Sequence, residues 1–103
     1  MDRGAILELL KAEIPALRER YGVRSLALFG SMARGDDRED SDVDILVTFE
    51  PGRTPGLAFF GIQDELSALI GRTVDLNTPV SLSPHFRDDV LRSAEVLYDD
   101  KGA

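Results

Sequence analysis

Two acidic residues separated by one valine begin a run of β-branched residues, and this pattern limits how the chain can fold. The run from Asp42 to Phe49 has the composition of a strand. Because successive side chains of a strand point to opposite faces, Asp42 and Asp44 would share one face while Val43 and Ile45 enter a core on the other. The sequence therefore predicts a sheet that is packed on one face and carries two carboxylates on the other.

Ten residues separate a Gly-Ser pair, Gly30 and Ser31, from Asp42. The apolar run from Ser25 to Phe29 predicts a strand that ends at Gly30, where glycine permits a positive φ and the close approach of a phosphate. Successive amides at such a turn bind anions, and the hydroxyl of Ser31 and the guanidinium of Arg34 would add phosphate-binding groups. We interpret Gly30 and Ser31 as a phosphate cradle, while a lone Gly-Ser pair is typical of an ordinary turn.

A third carboxylate, Asp75, interrupts the apolar run from Thr73 to Asn77. If this run forms a strand next to the first, the three acids converge, and a divalent cation would relieve their mutual repulsion. Magnesium binds through one or two carboxylates together with substrate phosphate oxygens, and a pair of ions can clamp the attacking and leaving oxygens. The pattern favours a phosphoryl-transfer site, and the simpler alternative is a solvent-facing acid on an edge strand.

The other predicted elements follow from the spacing of apolar residues, with glycine or proline at their ends. They are a helix from Arg3 to Arg20, a short helix or turn over residues 31–35, a loop over residues 50–56, a helix from Leu57 to Ile70, a helix from Ser83 to about Ser93 and an edge strand from Ala94 to Tyr98. Pro15 is expected to kink the first helix or to begin a fresh turn near Ile14. The apolar face of the helix that starts at Leu57 would consist of Leu57, Phe60, Ile62, Leu66, Leu69 and Ile70.

Composition narrows the chemistry that the chain can perform. Its 103 residues, 43% of them hydrophobic, are enough for one compact domain with a single core. The 19 acidic and 12 basic residues give a formal charge of -7, which disfavours direct nucleic-acid binding and suits a basic partner surface. With no cysteine and one histidine, thiolate and multi-histidine metal sites are excluded, which leaves hard cations with oxygen ligands. The charged start of the chain and the lack of a long apolar stretch predict a soluble cytoplasmic protein without membrane contact.

Other interpretations of the same motifs are weaker. Residues 30–35 imitate a Walker A loop, but Asp36 stands where the lysine must be. Residues 40–44 imitate an EF-hand loop, but Ile45 and Pro51 replace its required glycine and glutamate. Ser41 and Asp44 also match a helix capping box, which is an alternative to the strand. His85 is expected to be a solvated or capping residue, with a catalytic role as the less favoured alternative. The neighbouring acids would form a solvated loop: Asp36, Asp37, Glu39 and Asp40.

Three runs of the sequence together resemble the minimal nucleotidyltransferase family of the DNA polymerase β-like superfamily. The runs are residues 28–35 (LFGSMARG), 41–47 (SDVDILV) and 74–79 (VDLNTP). The resemblance spans nearly the whole chain and implies an α/β (α+β) fold with a small mixed sheet of three to four strands flanked by helices. It also implies that residues 1–103 form a single minimal nucleotidyltransferase domain. Members of this kind act as MntA-type antitoxins paired with HEPN-domain ribonuclease toxins.

The family's functional residues carry over to the matching positions of this chain. The nucleotide phosphates would be held by Gly30, Ser31 and Arg34. Magnesium, as two ions, would be held by the catalytic acids Asp42, Asp44 and Asp75, and the last of these would also take the proton of the acceptor hydroxyl. The implied reaction transfers AMP from the co-substrate ATP to a tyrosine hydroxyl of the HEPN toxin, releases pyrophosphate and blocks the ribonuclease.

The resemblance further implies a hetero-oligomer with the toxin. Because the chain ends soon after its last predicted strand, we expect the acceptor to arrive on another molecule. One alternative is a binding module that neutralises its partner by occlusion without catalysis, and the three intact acids favour transfer over it. Another is a small-molecule nucleotidyltransferase of the aminoglycoside type, which would need a second chain to complete its acceptor pocket.

Overall fold

The computed structural model describes residues 3–35, 38 and 41–99. Helices and strands alternate along these residues, with one 3-10 turn (Pro79–Ser81) after the third strand. They are α1 (Arg3–Tyr21), β1 (Val23–Phe29), α2 (Gly30–Arg34), β2 (Val43–Phe49), α3 (Ala58–Ile70), β3 (Val74–Asn77), α4 (Pro84–Ser93) and β4 (Glu95–Asp99). Every predicted helix and strand is confirmed to within two residues at each end. The predicted loop acids Asp36, Asp37, Glu39 and Asp40 lie outside the described residues.

The strands form one mixed sheet in the order β3-β2-β1-β4, which confirms the predicted α/β fold. β1 runs antiparallel to both β2 and β4, whereas β2 and β3 are parallel and α3 connects them. In this register Phe29 pairs with Asp44, and Asp44 pairs with Asp75. The end of β1 and the starts of β2 and β3 therefore meet at the same end of the sheet.

The larger part of the core lies between α1, α3 and one face of the sheet. Val43, Ile45 and Val47 are at most 1% exposed, as the alternation along β2 predicts. The helices cover them with Ile6, Leu10, Ile14 and Leu17 of α1 and with Ile62, Leu66 and Ile70 of α3. A smaller cluster covers part of the opposite face: Ala27, Phe29, Leu46, Leu82 and Val90. Asp44 points to this second face and is only partly buried.

The fresh helical turn that the sequence analysis gave as one outcome of Pro15 is absent. α1 continues as one helix through Pro15, and no new helix begins near Ile14. Pro15 is exposed, so water can bond to the carbonyl that the missing N–H leaves unpaired. No helix among the residues that the structure describes has the length and apolar character needed to cross a bilayer.

The predicted apolar face of α3 is wrong at its first turn. Leu57 precedes the helix and is 87% exposed, and Phe60 is 59% exposed. Phe59 lies three residues before Ile62 on the same stripe, and its ring contacts that of Phe49 edge to face with centroids 6.5 Å apart. At its first turn α3 therefore packs against the sheet through Phe59 instead of Phe60.

Candidate active site

The parallel pairing of β2 with β3 places Asp44 beside Asp75. Their carboxyl groups lie within hydrogen-bonding reach of each other, although β3 is an edge strand and Asp75 is exposed. Asp42 lies one residue before β2, is exposed, and is close enough for its charge to act on Asp44. The structure thus brings the three predicted acids together at one end of the sheet, and Asp75 faces them rather than solvent alone.

Burial and the charges of the neighbouring acids both act on Asp44. Its pKa is raised from the usual 3.8 to about 6, first by burial and then by the charges of Asp75 and Asp42 and a hydrogen bond with Asp75. The positive charge of Arg34 acts in the opposite direction and is the weakest of these influences. The protein therefore holds a carboxylate whose negative charge it does not fully neutralise, which is the situation that an added cation would relieve.

Gly30 joins the phosphate cradle to the acids. Its φ is +70°, in the left-handed region that favours glycine. A Cβ atom at this position would lie 2.2 Å from Oδ2 of Asp44, far inside van der Waals contact. Only glycine lets the start of α2 pass this close to the Asp44 carboxylate. The sequence predicted that a phosphate would approach the Gly30 backbone closely, and in the structure the Asp44 carboxylate does so.

The short helix α2 presents its N-terminal end next to Asp44. No side chain caps this end within the described residues, and Ser31 is half-buried in its first turn. The helix is anchored by fully buried Met32 and by Arg3, whose Nε donates a hydrogen bond of 3.1 Å to the Met32 carbonyl. Arg34 is exposed in the last turn, near enough to Asp44 to act on its pKa. The predicted phosphate-binding groups therefore border the three acids.

The donor set fits a hard divalent cation better than any other metal. It consists of carboxylate oxygens without sulfur or imidazole, and burial together with the charges of Asp75 and Asp42 raises the pKa of Asp44. Among the described residues, no group of three or more acidic or histidine side chains is already arranged to hold a metal ion. Asp42 is the one of the three acids that lies just before its strand rather than within it.

Two polar residues of α3 that sequence reasoning missed support Asp75. Ser67 Oγ accepts a hydrogen bond of 2.9 Å from the Val74 N–H, and Gln63 Oε1 accepts one of 3.0 Å from the Leu76 N–H. These are the two amides on either side of Asp75, so α3 fixes the outer edge of β3 around the acid. The available signal was the spacing of Gln63 and Ser67, four residues apart beside the buried stripe of α3.

Hydrogen bonds also define the surroundings of His85 and Ser41. Ser83 caps α4 by accepting a hydrogen bond of 3.3 Å from the His85 N–H, and His85 is exposed, as expected for a residue of a first helical turn. The capping-box alternative for Ser41 is wrong, since β2 follows and Ser41 Oγ instead accepts a hydrogen bond of 2.8 Å from the Arg38 N–H.

Comparisons with known proteins agree with the resemblance drawn from the motifs. Residues 10–97 match the family model of the nucleotidyltransferase domain. Protein adenylyltransferase MntA of Thermococcus cleftensis is 47% identical over 94 residues, which are 90% of this chain and 91% of that protein. A solved structure described as a minimal nucleotidyltransferase is 40% identical with a TM-score of 0.74, covering 93% of this chain and 94% of that one. A chain from the complex of a tri-AMPylated Shewanella oneidensis HEPN toxin with an MNT antitoxin is 21% identical with a TM-score of 0.64, covering 90% and 72%.

Proposed function

The chain belongs to the nucleotidyltransferase domain family and is a nucleotidyltransferase, and we propose that it is a magnesium-dependent protein adenylyltransferase that serves as an antitoxin. In this proposal it transfers AMP from ATP to a tyrosine hydroxyl of a HEPN-type ribonuclease toxin and so neutralises the toxin. The observation that carries the proposal is the convergence of Asp42, Asp44 and Asp75 beside the Gly30 turn. In this proposal the Gly30 turn would bind phosphate beside carboxylates that a cation would neutralise, which are the two requirements of nucleotidyl transfer.

Each residue has a distinct role in binding the nucleotide. The amides at the start of α2 and the Ser31 hydroxyl would hold phosphate oxygens, and Arg34 would offset their charge. Asp42, Asp44 and Asp75 would hold magnesium through their oxygens. Magnesium, when bound, would neutralise the phosphates and stabilise the charge that develops on the attacking and leaving oxygens.

The acceptor hydroxyl would attack the α-phosphorus of ATP in line with the departing pyrophosphate. A bond forms from the acceptor oxygen to that phosphorus, and the bond to the bridging oxygen of the pyrophosphate breaks. The proton of the hydroxyl goes to Asp75, which is exposed and therefore accessible to a large acceptor. AMP remains on the acceptor as a phosphodiester.

The HEPN partner is supported by relatives of this chain. A protein adenylyltransferase covers most of its length at 47% identity, and a chain of similar fold comes from an MNT antitoxin complex with an AMPylated HEPN toxin. The excess of acidic residues would suit a basic surface on such a toxin. We also assign residues 1–103 to one minimal nucleotidyltransferase domain acting in the cytoplasm.

Intact-mass analysis of a cognate HEPN toxin tests the proposal. The toxin is incubated with the chain, magnesium and ATP, and we expect a mass gain of one or more adenylyl groups and loss of ribonuclease activity. Replacing the toxin tyrosine by phenylalanine and the Asp75→Asn variant should each remove the gain. Asp64→Asn, an exposed acid on α3, serves as the matched control and should retain it. Neutralisation that persists in Asp75→Asn without any mass gain would replace transfer by occlusion.

A further inference from the structure

The position of Asp42 depends on the segment that precedes β3. Asp42 immediately precedes β2 and is exposed, so the strand pairing holds it only through its neighbour Val43. Its two chain neighbours are both bonded to this segment: the Val43 N–H donates 2.9 Å to the Thr73 carbonyl, and the Ser41 carbonyl accepts from Arg72. Residues 72–75 thus hold Asp42 from both sides and also carry Asp75.

Arg72 makes several of these bonds with one guanidinium. Its Nε and Nη2 both donate to the Ser41 carbonyl, at 3.2 and 2.5 Å, and Nη2 also donates to the Arg38 carbonyl at 2.7 Å. Arg38 and Ser41 are bonded to each other, since the Ser41 N–H donates 3.0 Å to the Arg38 carbonyl and Ser41 Oγ accepts from the Arg38 N–H. Arg72 therefore binds the carbonyls of both Arg38 and Ser41, and Ser41 directly precedes Asp42.

We propose that Arg72 is a positioning residue that holds the Asp42 carboxylate in place to share a divalent cation with Asp44 and Asp75. The inference rests on the proposed function, because it takes the three acids as the cation site. In this role Arg72 sets the distance from Asp42, which precedes β2, to Asp44 and Asp75, which lie in the sheet. Residues that orient metal ligands from behind affect metal affinity by roughly 10-fold to 100-fold.

The charge of Arg72 alone makes the opposite prediction. A positive charge near the acids repels an incoming cation, so its removal would tighten cation binding if electrostatics dominated. Removal of the hydrogen bonds would release the Ser41 backbone next to Asp42 and weaken cation binding if positioning dominates. The sign of the change in affinity therefore separates the two effects.

Direct Mn²⁺ binding to the purified chain is the measurement, since Mn²⁺ takes the same oxygen ligands as magnesium and its unbound signal is read by electron paramagnetic resonance. Arg72→Met keeps much of the side-chain length but no donor, and we expect it to weaken Mn²⁺ binding about 10-fold. Arg72→Lys keeps the charge and a single donor group, and we expect a smaller loss. Arg20→Met is the matched control, because Arg20 is exposed at the far end of the sheet, bonded to Glu65, and its loss should leave Mn²⁺ affinity unchanged.

Each outcome decides one claim. An Arg72→Met affinity equal to or tighter than that of the unmodified chain overturns the positioning role while the proposed function stands. Absence of Mn²⁺ binding by the unmodified chain overturns the cation assignment of the proposed function and this inference with it. If Arg72→Met does not fold, as judged by circular dichroism, the lysine variant decides, and unchanged affinity there overturns the inference. Faster hydrogen exchange at the amides of Ser41 and Val43 in the variant, but not in Arg20→Met, would support it independently.

Discussion

Replacing Asp44 by asparagine is expected to make the protein more stable at neutral pH while removing its activity. The amide is close in shape to the carboxyl and can still donate a hydrogen bond to Asp75, as protonated Asp44 does. What it removes is the charge. Burial and the neighbouring acids raise the pKa of Asp44 to about 6, so at pH 8 the folded protein carries a carboxylate in a place that disfavours it.

The direction of the pH dependence follows from proton binding. Between pH 3.8 and about 6 the folded state binds more protons at Asp44 than the unfolded state does, so stability falls as the pH rises through this window and remains lower above it. A pKa rise of this size is equivalent to about 3 kcal/mol for a fully shielded group. Because Asp44 is only partly buried, solvent screening reduces the expected effect to roughly 1 kcal/mol.

Urea unfolding at a series of pH values from 4 to 8, in buffer with a chelator, measures the effect. Asp44→Asn should match the unmodified chain near pH 4 and exceed it by roughly 1 kcal/mol above pH 6. The control Asp64→Asn, an exposed acid on α3, should show no such divergence. Added magnesium should recover part of the difference in the unmodified chain only. The assignment of Asp44 as an unneutralised carboxylate would be refuted if Asp44→Asn were less stable than the unmodified chain at pH 8. It would also be refuted if the difference in unfolding free energy between the two proteins did not change with pH.

Three further predictions follow from single contacts. Gly30→Ala places a Cβ against Asp44 at a positive φ, so we expect a loss of roughly 1 to 3 kcal/mol in the free energy of urea unfolding and weaker ATP binding by calorimetry. The control Gly56→Ala should preserve ATP binding. Unimpaired ATP binding by Gly30→Ala would contradict the role of the close approach. Ser67→Ala leaves the Val74 amide without its partner and should cost about 1 to 3 kcal/mol, which urea unfolding will show, and an unchanged midpoint would mean that water replaces the hydroxyl. Phe60→Ser should change the free energy of unfolding by less than about 0.5 kcal/mol because its side chain is exposed. Ile62→Ala, at a buried position, should cost about 2 to 5 kcal/mol. Equal losses would mean that Phe60 lies on the apolar face of α3, as the sequence predicted.

The sequence predicts those parts of the site that depend on the two-residue alternation of side chains along a strand. The alternation of Val43, Asp44 and Ile45 states which side chains face the core, because strand geometry repeats every two residues whatever the tertiary structure. The placement of Asp75 beside Asp44 also depends on the pairing of β2 with β3, which joins residues that are far apart in the sequence. The sequence predicts both acids but leaves their pairing conditional on the order of strands.

Contacts made across the fold could not be predicted in the same way. Arg72 follows a helix-ending glycine and has no periodic pattern around it, so nothing local indicates that it binds the carbonyls of Arg38 and Ser41. At α3, spacing alone allowed either Phe59 or Phe60 to face the sheet, and packing against Phe49 decided between them.

An acid on an edge strand is an unusual choice for a site that needs fixed geometry, and α3 explains how β3 can supply one. An open strand edge offers unpaired amides that invite pairing with other chains and let the strand shift. Here Ser67 and Gln63 occupy the amides of Val74 and Leu76, so the outer edge of β3 is bonded along the stretch that carries Asp75. The inner edge is held by β2 in parallel register. Asp75 is therefore both accessible to a large acceptor from the edge and restrained from both sides, which a central strand could not combine.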